Sequence, residues 1–164
     1  MGSRTVTAEE PPYGFILVTA DPLRSSEERE GRAIDLVEAR LRSKQWPIYS
    51  RTRNGLRFSS GARVAFYVSG AKASGGTIVA TAVVSGIQAR RPGSRGPDPD
   101  EFVTERPTLI LDLGGIAPID PPIRFRDKLP TLQIKPKNLQ KWGVLFMGGS
   151  LALSARDWRT LFGA

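Results

Sequence analysis

A chain of 164 residues, 40% of them hydrophobic, is long enough to bury one substantial core, and no break in composition divides it in two. Histidine and cysteine are both absent, which excludes disulfides, thiolate chemistry, zinc catalysis and any Ser-His mechanism. A formal net charge of +8 points to a polyanionic partner.

Residues 1–12 are polar and end in Pro-Pro, the composition of a loose arm ahead of one domain over 13–164. Tyr13 to Ala20 (YGFILVTA) is an apolar run of strand type that stops at Asp21-Pro22. Ser25 and Glu28 have the spacing of a capping box. The helix that follows places Ala33, Ile34, Val37 and Leu41 on one face and Glu30, Asp35, Glu38 and Arg42 on the other. Arg40, Arg42 and Lys44 suit the negative end of its dipole. Trp46 to Ser60 reads as an extended or turning connection, because Pro47 disfavours helix at Trp46 and Asn54-Gly55 signals a turn.

Val64, Phe66 and Val68 then alternate with Ala65, Tyr67 and Ser69, the period of a half-buried strand in which Phe66 or Tyr67 faces away from the core. Thr77 to Val84 is apolar almost throughout and rich in β-branched residues, as a strand covered on both faces would be. Gly70, Gly75 and Gly76 supply the turn of a hairpin between them. Gln88 to Pro107 is a long Pro/Gly-rich loop, basic and then acidic, with Phe102 set between charges. Thr108 to Leu113 is another strand, and Gly114 to Pro122 a turn-rich crossing.

Ile123 to Leu132 interleaves Arg124, Arg126 and Lys128 with Phe125 and Asp127, in a strand fragment or a helical turn. A helical turn is expected at Asn138 to Trp142, a strand at Val144 to Met147, a turn at Gly148-Gly149 and a further pairing at Leu151 to Leu153. Ser154 with Asp157 opens a final helix whose Trp158, Leu161 and Phe162 face inward. No apolar run approaches the ~18 residues that span a bilayer, and no charged leader precedes an apolar core. The expectation is a cytoplasmic protein with no membrane partner.

The charge is unevenly spread. Between Glu38 and Asp98 there is no carboxylate, while Arg51, Arg53, Arg57, Arg90, Arg91 and Arg95 fall in that interval. These six sit on loops that bracket the hairpin and are the candidate contacts to a phosphate backbone.

The order of elements also carries a likeness. A helix, then Trp-Pro-Ile-Tyr (46–49), Thr-Arg-Asn (52–54), Ser-Gly-Ala-Arg-Val-Ala-Phe-Tyr-Val-Ser-Gly (60–70) and Ile-Val-Ala-Thr-Ala-Val-Val-Ser (78–85) resembles the EVE domain. That family belongs to the PUA-like fold, with YTH and ASCH domains as relatives, and the likeness runs from about Tyr13 to Phe162. It implies an α+β domain built as a small curved β-barrel or mixed sheet with flanking helices. It implies a module without cofactor or metal that recognises a modified nucleobase in DNA or RNA flipped into an aromatic pocket; the sequence leaves the oligomeric state open, with a monomer the first expectation.

Carried residue by residue, the resemblance makes Trp46 the stacking plate, with Pro47 and Ile48 beside it. Thr19, Ala20 and Asp21 would meet the base edge, and Ser69 and Gly70 would form the floor. Tyr49 or Phe102 would supply a second wall, with Tyr67 in reserve. Two alternatives stand. One is an ASCH-like amidohydrolase or nuclease, for which Asp21 and Ser69 are the available pair. The other is an accessory RNA- or protein-interaction domain without a base pocket.

Overall fold

The computed structural model describes residues 11–19, 33–69, 76–89 and 107–163. Six strands, β1 (Gly14–Thr19), β2 (Gln45–Ile48), β3 (Arg63–Val68), β4 (Thr77–Ala89), β5 (Leu109–Arg124) and β6 (Ser150–Leu153), form one sheet in the order β2-β5-β4-β3-β1-β6. Only β1 and β3 run parallel; the other neighbours are antiparallel. The helices are α1 (Ala33–Ser43), α2 (Phe125–Lys128) and α3 (Ala155–Phe162), with 3-10 turns at Leu129–Thr131 and Leu139–Phe146.

The sheet is strongly curled into a half-barrel, a mixed α+β architecture consistent with the PUA-like fold. The curl has a local cause. The β4–β5 register shifts at Ile78/Ala80, Thr81/Val83 and Val84/Gly86, and each such irregularity bends the strand and tightens its twist.

The strand alternation sorts two cores onto the two faces of the sheet. Phe15, Leu17, Val64, Phe66, Val68, Ala80, Ala82 and Val84 face α1, which contributes Ala33 and Val37. Ile16, Ala65, Tyr67 and Ile78 face the other way, onto Phe125, Leu129, Phe146, Trp158 and Leu161. β3 is therefore buried on both sides rather than half-buried, so neither Phe66 nor Tyr67 faces solvent. β4 departs in the opposite direction: Val83 is exposed, and the strand runs on to Ala89.

Three further expectations change. The connection after α1 contains an edge strand, β2, where Pro47 is tolerated because an edge position leaves one side without a ladder partner. The expected crossing at 114–122 is the second half of β5, paired to β4 alone, so its prolines sit on a free edge among the described residues. Val144 to Met147 coils into the 3-10 segment instead of extending as a strand. The Ser154 cap is present, accepting from the Asp157 N–H at 3.2 Å. The Ser25–Glu28 box lies outside the described residues.

Candidate functional site

Trp46 is not an open plate. Its indole is 2% exposed, with its ring centroid 4.8 Å from that of Phe66 and the Arg40 guanidinium 4.7 Å above it. The cause is registry. β2 pairs Trp46 with Leu111, which turns the indole into the core beneath α1, and the last turn of that helix brings Arg40 down as a lid. Pro47 and Ile48 are buried with it, and the Ile48 carbonyl accepts from the Thr108 N–H and Oγ1. These three residues belong to the core.

Tyr49 lines a separate hollow with Asn54, Leu56, Arg57 and Thr108. Thr19 is buried at the end of β1, where its carbonyl accepts from the Ser69 N–H at 2.8 Å. Its Oγ1 has no hydrogen-bond partner among the described residues. Ala20, Asp21, Gly70, Phe102, Arg90, Arg91 and Arg95 lie outside the described residues. Arg51, Arg53 and Arg57 are exposed, on the turn that follows β2.

A cavity of about 700 Å³ opens on the opposite face of the sheet, within the ~300–1,000 Å³ range of small-ligand pockets. It lies at the C-terminal ends of the parallel pair, lined by Val18 of β1 and by Tyr67 and Ser69 of β3 and its exit. Gly76 lines it ahead of β4, Arg124, Arg126 and Asp127 at the β5–α2 junction, Trp142, Gly143 and Phe146 from the 3-10 segment, and Met147 from the turn that caps it.

Its walls are aromatic. Tyr67 and Phe146 stack at 4.0 Å with an interplanar angle of 11°. Phe125 meets Phe146 edge-on at 4.8 Å, and Trp142 stands at 89° to Phe146, 6.2 Å away. Edge-to-face contacts of the latter kind are favoured geometries of aromatic pairs and fix one another's orientation.

Gly76 adopts φ 77°, a region open to glycine. Its N–H donates to the Val68 carbonyl and its carbonyl accepts from the Phe125 N–H. That clamp joins the end of β3 to the start of α2 across the cavity floor.

Electrostatics favour an anionic or hydrogen-bonding guest. Burial pushes the Tyr67 phenol up to about 12; like any phenol it is a neutral donor at physiological pH. Among the described residues, the side chains of Arg124, Arg126 and Asp127 have no hydrogen-bond or ion-pair partner. They are free to engage whatever enters. Tyr67 and Phe146 are buried against each other, so the half-buried Trp142 is the ring of the lining that offers a face, and an indole beside two guanidiniums suits a planar heterocycle carried on a phosphate chain.

Of the sequence candidates among the described residues, only Ser69 and the reserve Tyr67 line this cavity. Arg124, Arg126, Asp127, Trp142, Phe146 and Met147 were missed. A signal existed in the interleaving of basic and aromatic residues at Arg124-Phe125-Arg126 and Lys141-Trp142. Among the described residues no group of carboxylates is placed to hold a metal ion, and no helix is long and apolar enough to cross a membrane.

No family model and no curated protein matches the chain. Among solved structures it is similar to the N-terminal domain of Staphylothermus marinus McrB, with a TM-score of 0.55 at 9% identity. The match covers 93% of this chain and 94% of that one. At that identity the likeness is one of fold, extending over nearly the whole of both chains.

Proposed function

We propose that the protein is a nucleic-acid-binding module that holds a single unpaired, modified base in the cavity walled by Tyr67, Trp142 and Phe146. The observation that carries this reading is the aromatic cavity itself, with Arg124 and Arg126 in its lining. The net charge of +8 supports a polyanionic partner, and the resemblance to EVE domains supports a modified base as the guest. Stacking supplies affinity without sequence preference, at about 1–3 kcal/mol per base. The Tyr67 and Ser69 hydroxyls and the Asp127 carboxylate offer the hydrogen bonds that select a base edge.

Guanidiniums would hold the flanking phosphates. Among the described sequence candidates, Arg53 lies near the cavity: its backbone N–H donates to the Gly148 carbonyl at 2.7 Å, one residue from Met147 in the cavity lining. Binding should therefore weaken steeply with salt while selectivity does not.

The test is a panel of single-stranded DNA and RNA oligonucleotides, each with one modified base, measured by direct binding and then checked for base turnover. The reading expects a preference for at least one modified base over its plain counterpart, with the oligonucleotide recovered unchanged. Equal binding to every member would overturn the pocket, and conversion of the base would replace the reader with an enzyme.

A further inference from the structure

The 3-10 segment that walls the cavity also carries an apolar edge that the fold leaves uncovered. Leu139, Val144 and Met147 are all exposed. Met147 is the unusual one, because it is 80% exposed and still lines the cavity. It therefore stands on the rim.

Its backbone is held from several sides. The Met147 N–H donates to the Val144 carbonyl, the Gly149 N–H to Phe146, the Val18 N–H to the Gly149 carbonyl and the Arg53 N–H to the Gly148 carbonyl. The Ser150 hydroxyl donates to the Arg53 carbonyl. A Cβ on Gly148 would come within 2.8 Å of the Arg53 Cβ, so the turn and the basic loop are in close contact. The result is a long, unbranched apolar side chain projected from a pinned turn.

From this we infer that Met147 is a wedge that enters the base stack of a duplex and fills the space left when a base moves into the neighbouring cavity. This rests on the reading of the cavity as a base pocket. A base inside a duplex cannot reach such a pocket without leaving the stack, and apolar side chains inserted between base steps stabilise the opened duplex. The occupant is a nucleic acid duplex because the apolar rim is continuous with the cavity and flanked by cations. Arg53 is bonded at the adjacent residue and Arg124 and Arg126 share the lining.

The experiment uses duplex and single-stranded DNA carrying one 2-aminopurine, whose fluorescence rises on unstacking, with the wild-type chain, Met147→Ala and Leu56→Ala. Leu56 is 98% exposed and lies outside the cavity lining, so it controls for loss of exposed apolar surface. Wild type and Leu56→Ala should brighten the duplex. Met147→Ala should lose that signal and bind the duplex about tenfold more weakly, with a smaller loss on the single strand, since Met147 also lines the cavity.

Brightening by Met147→Ala equal to wild type overturns the wedge. So does a wild-type chain that leaves the duplex dark, or an equal loss in Leu56→Ala, which would mark a general apolar surface such as a protein contact. The pocket is judged separately, on single strands. A chain selective for a modified base there, yet unable to open a duplex, keeps the pocket and loses the wedge.

Discussion

Two tryptophans have exchanged the roles that their neighbourhoods advertise. Trp46, beside a basic helix end and a proline, is core; Trp142, in a polar stretch between lysine and glycine, lines the cavity. Trp46→Ala should cost about 3–5 kcal/mol, the range for emptying a buried aromatic site, read as a lower denaturant midpoint. A midpoint within error of wild type would contradict the burial.

Tyr67 makes a second residue-scale prediction. Its pKa is raised from 10.0 to about 12 by burial, so between those values the unfolded chain gives up a proton that the folded chain keeps. Its contribution to stability is complete below pH 10 and is lost as pH rises through about 12. Denaturation series for wild type and Tyr67→Phe should thus run parallel at neutral pH and diverge above pH 10, wild type falling faster. Parallel curves throughout would place the phenol in water.

At the scale of elements, α3 is fixed against β1 by one close approach. A Cβ on Gly14 would fall 2.4 Å from the Trp158 Cε3, and Trp158 is itself held by Phe162 at 4.5 Å. Gly14→Ala should cost about 1–3 kcal/mol through overpacking, visible as a lower thermal midpoint. An unchanged midpoint would mean that α3 shifts freely. What was legible at this scale follows a rule. β1 and β3 are short apolar runs bounded by glycine and proline, β4 begins as an apolar run after Gly76, and α3 opens on a Ser-x-x-Asp signature, so pattern sufficed to find them, though not the full length of β4. The second half of β5 was not legible, since its glycines and prolines read as turns unless one knows that one edge is free. The 3-10 segment misled for the converse reason: VLFM has strand composition, and only its packing onto Tyr67 and Phe125 makes it coil.

For the molecule as a whole, the curled sheet was implied by the resemblance, whereas the two-sided core and the location of the pocket were not. A sheet covered on both faces offers two places for a ligand, and sequence order alone cannot choose between them. The choice turned on the lid: Arg40 closes the α1 face over Trp46, and the opposite face stays open beside Trp142.

The most direct test of that placement is the ratio of affinities for matched single strands, one with the preferred modified base and one plain, measured for wild type, Trp46→Ala and Trp142→Ala. Trp142→Ala should bring the ratio to about one and lose roughly 1–3 kcal/mol of binding to the modified strand, while folded Trp46→Ala keeps the wild-type ratio. Selectivity preserved in Trp142→Ala and abolished in Trp46→Ala would contradict the account.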